Sequence, residues 1–214
     1  MLEENKLYLH NCDNMEFMKT IPDKFFELAI CDPPYGINAS QGVGLHSRNK
    51  YAKKNKKWDS QTPNKEYFNE LFRVSENQII CGANYFIEYL YSTKSFICWI
   101  KNNPAPNFAE AELLWTSFDI NGKVYDCGKQ IQYSISLEGG SIHPTQKPIA
   151  LYKWLLSKYA KQGDKIFDSH LGSMSSVIAA YEMGFEIHGC ELDKEYFDSG
   201  VKRVTNVLRQ LKLF

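Results

Sequence analysis

The chain is organised around the stretch Leu28-Ala29-Ile30-Cys31-Asp32-Pro33-Pro34-Tyr35, in which a short apolar run meets an acid, two prolines and an aromatic residue. A buried strand over 28–31 would carry Asp32 to its carboxyl end, the edge at which open α/β sheets bind ligands. The prolines fix φ and lack an N–H, so nearby carbonyl oxygens keep their capacity to accept hydrogen bonds. Together with the face of Tyr35, these oxygens suit a planar ring that carries an exocyclic amino group. The same residues also fit a proline-stiffened surface turn, and the rest of the chain has to distinguish the two.

Strand-like and helix-like segments alternate along the chain, which predicts an α/β fold with a mixed, mostly parallel sheet and helices on both faces. The predicted strands cover 7–11, 28–31, 78–81, 96–100, 112–117, 131–137, 165–167 and 186–190. The predicted helices cover 15–20, 64–73, 85–91, 148–159, 173–183 and a long C-terminal stretch. A length of 214 residues predicts one domain, 1–214, rather than two.

The composition is that of an ordinary globular protein, with 43% hydrophobic residues. No apolar run approaches the ~20 residues of a membrane span, and the acidic start Leu2-Glu3-Glu4 is unlike a signal peptide. The six cysteines are scattered without a Cys-x-x-Cys pair, and the five histidines show no metal-type spacing. We therefore expect a cytoplasmic protein with no membrane partner, no disulfide and no bound metal.

The formal net charge is zero, but positive charge is concentrated directly after the proline motif. The basic residues of this run are Arg48, Lys50, Lys53, Lys54, Lys56 and Lys57. They lie within 36–63, a long segment without periodicity that predicts a mobile loop. The clustered basic residues predict that this loop contacts a nucleic acid such as DNA. The alternative is an ordinary solvated lysine run.

A second motif lies near the carboxyl end of the chain, where a predicted strand meets a helix at Asp168-Ser169-His170-Leu171-Gly172-Ser173-Met174-Ser175-Ser176. Gly172 allows close backbone approach to a ligand, and the following helix start supplies free amide groups. About twenty residues further on, Glu191 follows the next strand, the position of an acid that accepts both hydrogens of a ribose diol. A nicotinamide-binding enzyme would be expected to carry this glycine loop on its first strand.

The Asp-Pro-Pro-Tyr turn, the stretch His143-Pro144-Thr145-Gln146-Lys147-Pro148 and the late glycine loop together resemble the β-group of S-adenosylmethionine-dependent DNA amino methyltransferases. The resemblance covers most of the chain. It implies a Rossmann-like class I methyltransferase fold with permuted motif order, the catalytic motif preceding the cofactor motif. The catalytic residues that it implies are Asp32, Pro33, Pro34 and Tyr35. The cofactor-binding residues that it implies are Asp13, Asn14, Asp32, Thr145, Lys147, Asp168, His170, Gly172, Ser173 and Glu191.

Three positions depart from the family pattern. His170 replaces a phenylalanine, Met174 replaces the second loop glycine, and Cys12 replaces a further glycine. A side chain at position 174 would either narrow the cofactor pocket or require a different backbone turn.

The resemblance implies methylation of adenine N6 in duplex DNA by base flipping, with S-adenosyl-L-homocysteine as the second product and no metal. An acid at position 32 favours adenine N6 over cytosine N4. A cytosine-N4 DNA methyltransferase, an RNA adenine methyltransferase and a nucleic-acid-binding regulator on a decayed methyltransferase scaffold are the alternatives. Only 36–63 and a small segment at 119–142 remain for target recognition, which suggests a short target in a solitary, phage or restriction-modification enzyme. The sequence does not decide whether the chain forms a homodimer.

Overall fold

The computed structural model describes residues 2–4, 6–39, 56–102, 109–128, 135–136 and 138–211. Within them, nine strands form one sheet in the order β1-β2-β9-β8-β3-β4-β6-β5-β7. The strands are β1 Leu2–Glu4, β2 Leu7–His10, β3 Phe26–Cys31, β4 Ser75–Cys81, β5 Phe96–Ile100, β6 Ala111–Thr116, β7 Lys123–Asp126, β8 Lys165–Asp168 and β9 Glu186–Cys190. The helices are α1 Asn14–Lys19, α2 Lys65–Val74, α3 Ile149–Tyr159, α4 Ser175–Glu182 and α5 Lys194–Leu211.

The centre of the sheet is parallel. β2, β9, β8, β3 and β4 pair in parallel, with Leu28 opposite Ile166 and Ile30 opposite Ile79. β6 pairs antiparallel with both β4 and β5, and β7 joins the edge parallel to β5. This mixed, mostly parallel α/β sheet confirms the predicted fold class. The carboxyl ends of the five central strands therefore meet at one edge.

Both faces of the sheet are covered. Side chains of β3 alternate between two apolar clusters, with Leu28 and Ile30 in one and Ala29 and Cys31 in the other. The first cluster contains residues of α3, α4 and α5, and the second contains residues of α1 and α2. A strand with apolar side chains on both faces is typical of a parallel sheet sandwiched between helices.

The helix starts follow from local capping. The Asp13 side chain accepts hydrogen bonds from the N–H groups of Met15 and Glu16 at the start of α1, and Asn64 accepts one from Tyr67 at the start of α2. Pro148 precedes α3, as the sequence predicts. Each helix among the described residues is either too short or too polar to cross a membrane.

Two predicted elements are wrong. The helix predicted at 85–91 is instead two 3₁₀ turns, Ala83–Tyr85 and Ile87–Tyr89, because Phe86 between them turns inward and is fully buried. The strand predicted at 131–137 is contradicted by Ile135 and Ser136, which are helical; its other residues lie outside the described ones. The sequence analysis also missed β1 and β7, the two edge strands.

Candidate active site

The carboxyl ends of the central strands line one cavity of about 450 Å³. It is lined by residues that follow β2, β3, β8 and β9, together with the segments before α3 and α5. Ten of the residues predicted for the site line it: Asp13, Asn14, Asp32, Pro34, Thr145, Lys147, His170, Gly172, Ser173 and Glu191. Residues that the prediction omitted also line it, among them Cys12, Trp58, His143, Tyr152, Cys190 and Tyr196.

The glycine loop is held against the acid that follows β9. The Gly172 N–H donates to Glu191 Oε2 at 2.8 Å, and the Asp193 N–H donates to Glu191 Oε1 at 2.8 Å. Gly172 has φ of +48°, a backbone conformation in which a side chain would be strained. The Glu191 carboxylate is thereby fixed at the cavity wall, and its burial raises its pKa.

Asp168 stabilises the glycine loop through hydrogen bonds. It is 1% exposed, and its carboxylate accepts a hydrogen bond from the Ser176 hydroxyl at 2.6 Å and one from the His170 N–H at 3.0 Å. Burial raises the pKa of Asp168 to about 7. The structure therefore gives this residue contacts that shape the turn between β8 and α4.

Met174 neither narrows the cavity nor changes the turn. Its backbone has φ of +59°, the left-handed conformation that a glycine would adopt, and its side chain is fully buried. The sulphur and the Cγ pack so closely on Gly200 of α5 that a Cβ at Gly200 would lie 2.8 Å from each. The methionine thus keeps the turn and sends its side chain into the core.

His170 and His143 line the cavity as neutral imidazoles. The His170 ring lies 3.0 Å from Asn14 Nδ2 and 2.8 Å from Ser169 Oγ, and its burial lowers its pKa to about 4. His143 packs edge-on against Tyr196 at 4.3 Å between ring centroids, and burial lowers its pKa to about 3.

At the turn that follows β3, the Asp32 carboxylate contacts a lysine and a phenol. Its Oδ1 lies 2.6 Å from Lys147 Nζ and 2.6 Å from the Tyr35 hydroxyl, which donates to it. Lys147, predicted as a cofactor residue, therefore lines the cavity with its ammonium against the Asp32 carboxylate. The Tyr35 ring stacks on Tyr85 at 4.8 Å between centroids, with an interplanar angle of 12°.

Glu112 completes this cluster and was missed by the sequence analysis. Its Oε1 lies 3.1 Å from Lys147 Nζ and 2.9 Å from the Tyr35 hydroxyl, and its Oε2 lies 2.6 Å from Lys101 Nζ. A glutamate within the otherwise apolar run of β6, Ala111-Glu112-Leu113-Leu114-Trp115, was the available signal.

The pKa values of the two acids in the cluster shift in opposite directions. Burial alone would raise the pKa of Glu112, but Lys147 and Lys101 hold it at about 2. Burial raises the pKa of Asp32, against the opposing effect of Lys147 and with a further rise from Glu112. Burial would lower the pKa of Lys147, but the two carboxylates raise it, so the ammonium stays charged.

Acidic oxygens of Asp32 and Glu112 and the Cys81 sulphur lie within 4.8 Å of one another, a spacing that also suits a metal ion. The Lys147 ammonium contacts both carboxylates. It therefore already supplies the positive charge that this acid pair requires.

The basic run is only partly described. Arg48, Lys50, Lys53 and Lys54 lie outside the described residues, and Lys57 is exposed. Lys56 forms ion pairs with Asp193 and with Glu195, the latter at 2.9 Å, and its ammonium lies 4.3 Å from the centroid of the Tyr196 ring. It therefore contacts the rim of the cavity, and DNA contact by the basic run stays a prediction.

Known proteins resemble this chain in sequence. Residues 100–202 match the N6/N4 family model described as DNA methylase. The type II methyltransferase M.HinfI of Haemophilus influenzae is 27% identical over 91% of this chain and 67% of its own length. The type II methyltransferase M2.DpnII of Streptococcus pneumoniae is 25% identical over 94% of this chain and 90% of its own length.

Solved structures share the fold. The complex of M1.HpyAVI with S-adenosylmethionine has a TM-score of 0.60 at 19% identity, covering 92% of this chain and 98% of that one. The PvuII DNA methyltransferase, described as cytosine-N4-specific, has a TM-score of 0.60 at 12% identity, with 96% and 94% covered. The chain thus matches the N6/N4 DNA methylase family and has the class I methyltransferase fold, and neither match decides between adenine and cytosine.

Proposed function

Starting from this match to the N6/N4 DNA methylases, we propose that the chain transfers a methyl group from S-adenosylmethionine to the N6 amino group of an adenine flipped out of duplex DNA. One observation carries the proposal. Asp32, an acceptor suited to an amino group, and Glu191, an acceptor suited to a ribose, line the same cavity. Methyl donor and methyl acceptor would therefore meet in one enclosed space.

The residues of the cavity fit the cofactor. Glu191 is fixed by two backbone amides with its carboxylate at the wall, where it would accept hydrogen bonds from the ribose hydroxyls. Gly172 leaves room for close backbone approach, and Asp13, Asn14 and His170 line the same space. When bound, S-adenosylmethionine supplies an electrophilic methyl group on a sulfonium sulphur.

Asp32 would act on the amino group of the substrate base. Its two contacts within the cluster both fall on Oδ1, which leaves Oδ2 to accept an amino hydrogen. Such a hydrogen bond draws the amino lone pair out of the ring and makes the nitrogen a better nucleophile. An amino nitrogen that accepts a methyl group loses one proton, and the Asp32 carboxylate would be placed to receive it.

Tyr35 would offer its ring to the flipped base. Extruding a base costs a few kcal/mol, and stacking on an aromatic side chain returns roughly 1–3 kcal/mol. Tyr85 already stacks on Tyr35, so the base would either replace Tyr85 or extend this pair.

The test is to incubate the protein with methyl-labelled S-adenosylmethionine and duplex DNA, digest the DNA and identify the labelled nucleoside by mass spectrometry. We expect N6-methyldeoxyadenosine. Labelled N4-methyldeoxycytidine would assign cytosine instead, and label in RNA alone would assign the RNA alternative. Asp32→Ala should lose about a hundredfold or more in rate with cofactor affinity retained. If the parent labels no nucleic acid, or if Asp32→Ala keeps more than about a tenth of the activity, the proposed function is wrong.

A further inference from the structure

Two acids and two lysines form a charged cluster at the proposed catalytic turn. Two carboxylates, Asp32 and Glu112, share the single ammonium of Lys147 at 2.6 Å and 3.1 Å. A second ammonium, that of Lys101, lies 2.6 Å from the far oxygen of Glu112. The side chains of Lys147 and Glu112 are 5% and 8% exposed, so water screens these interactions little.

We propose that Glu112 is a positioning residue for methyl transfer: held by Lys101, it keeps Lys147 shared between two carboxylates and so sets how strongly Asp32 accepts a proton from the substrate amino group. This inference rests on the proposed function, because it assigns Asp32 the amino group as its partner. Glu112 would act through Lys147 and Tyr35 rather than by touching the base.

The geometry gives Glu112 two routes to Asp32. The first is the ammonium of Lys147, which would form an ion pair with Asp32 alone if Glu112 were neutral. The second is the Tyr35 hydroxyl, which lies 2.6 Å from Asp32 Oδ1 and 2.9 Å from Glu112 Oε1. Since Tyr35 has one proton to donate, Glu112 competes with Asp32 for it.

Other groups around Asp32 do not duplicate this role. Among the described residues, the titratable and charged groups that face it from the surrounding elements are Tyr35, Cys81 of β4, Glu112 of β6, Lys147, Tyr152 of α3 and Asp168 of β8. Burial raises the pKa of Cys81 and of Tyr152, so both stay neutral near pH 7. Asp168 is engaged by Ser176 and His170 on the other side of the loop. Glu112 is therefore the negative charge that shares the cation of Asp32.

The sharing of Lys147 and the contact with Lys101 also explain why the pKa values of the two acids differ. A pair of carboxylates whose surroundings drive their pKa values apart commonly divides into one group that exchanges protons and one that stays ionised. Glu112, with two lysines, stays ionised with a pKa of about 2. Asp32, with a raised pKa, is the group that can take up a proton during the reaction.

The inference predicts opposite effects for two substitutions. Glu112→Gln removes one negative charge and leaves Lys147 to pair with Asp32 alone, so the pKa of Asp32 should fall. Lys101→Met leaves Glu112 less neutralised, so the pKa of Asp32 should rise. Because a weaker base also accepts the amino proton less well, Glu112→Gln should slow single-turnover methylation about tenfold or more at high pH.

The measurement is a titration of the Asp32 side-chain carbon by NMR in cofactor-free protein labelled with ¹³C-aspartate, with Asp32→Asn to assign the signal. A pH profile of single-turnover methylation should show its acid limb moving in the same two directions. Glu182→Gln is the matched control, because it neutralises a glutamate paired with Lys153 on the helical layer and should move neither quantity.

An unchanged pKa of Asp32 in Glu112→Gln, or shifts in the same direction in both variants, would overturn the inference. A purely structural Glu112 would lower the melting temperature without moving the titration. If Glu112→Gln fails to fold, Lys101→Met alone decides, since a pKa that does not rise contradicts the proposal. The titration needs no substrate, so a parent that methylates while its Asp32 pKa is insensitive refutes this inference and leaves the proposed function intact.

Discussion

Gly82 lies directly against the ring of Tyr35. A Cβ added at Gly82 would stand 2.3 Å from Cε1 and 2.4 Å from Cζ of that ring, well inside van der Waals contact. Gly82 directly follows β4 and has φ of +68°, so this position excludes a side chain for reasons of both space and backbone. Tyr35 is thus placed by a glycine that is distant in sequence, and the pairing of β4 with β3 brings the two residues together.

Gly82→Ala should therefore displace Tyr35 and lower methylation about a hundredfold, while cofactor affinity stays close to that of the parent. The matched control is Gly184→Ala. Gly184 has φ of +77°, but no described atom lies within 4 Å of its added Cβ, so it reports the backbone strain alone. Single-turnover rates and calorimetric cofactor titrations of both variants give the comparison. Equal losses of activity in the two variants would show that the contact with Tyr35 is unimportant.

Glu191→Ala should raise the dissociation constant for S-adenosylmethionine about tenfold to a hundredfold, because charge-assisted hydrogen bonds contribute ~1.5–3 kcal/mol. The substitution also frees the Gly172 and Asp193 amides that the carboxylate holds. Glu186→Ala, at the other end of β9, is the control and should leave affinity unchanged. Calorimetry that shows parental affinity in Glu191→Ala would make Asp193 the next candidate for the ribose acid.

Met174 tests whether the loop has adapted to its methionine. Because the side chain is buried against Gly200, its removal should cost ~2–5 kcal/mol of unfolding free energy. Met174→Gly regains ~1–2 kcal/mol by relieving the left-handed backbone, and Met174→Ala does not. Denaturant unfolding should therefore rank the parent above Met174→Gly and Met174→Gly above Met174→Ala. A clear gain in cofactor affinity for Met174→Gly would instead mean that the methionine obstructs the pocket.

His143 makes stability depend on pH. Its side chain is buried with a pKa of about 3, below the value of roughly 6.5 expected in the unfolded chain. The unfolded state thus binds more protons between these values, so the histidine's contribution is complete above about pH 6.5 and is lost as the pH falls toward 3. His143→Asn should flatten the fall of unfolding free energy over this range by up to ~1.4 kcal/mol per pH unit. Urea unfolding at a series of pH values measures this slope, and an unchanged slope would contradict the assignment.

The lysines of the basic run should have two different functions. Replacing Lys53, Lys54 and Lys57 by alanine should weaken DNA binding at all sequences alike and lower the log–log salt slope by roughly 0.9 for each phosphate that the protein no longer neutralises. Lys56→Ala should instead weaken cofactor binding about twofold to fivefold, because Lys56 pairs with Asp193 at the cavity rim. DNA binding at several salt concentrations and cofactor calorimetry separate the two effects. A triple variant with the parental slope would identify that run as ordinary solvated surface.

The sequence alone was sufficient for the elements whose cause is local. The alternation of buried strands and capped helices predicted most of the sheet, because capping residues such as Asn64 and apolar runs such as 28–31 act within a few residues. The turns at Asp32 and Gly172 are local as well, because the prolines and the glycine within each motif determine the backbone conformation. The two missed strands, β1 and β7, lie at the edges of the sheet, and β7 forms only by pairing with β5. The helix predicted at 85–91 was wrong because Phe86 turns into the core, which is a tertiary contact.

Tertiary structure decided the roles of individual side chains. Nothing near Glu112 in the sequence indicates that it pairs with both Lys101 and Lys147, because Lys101 follows β5, Glu112 lies in β6 and Lys147 precedes α3. Nor does the glycine pattern show that Met174 keeps a left-handed turn, since that depends on the space that Gly200 leaves in α5. The motif that makes Asp32 the proposed catalytic acid is local information. The charge balance of that acid depends on contacts between distant residues, which exist only once the sheet has brought them to one edge.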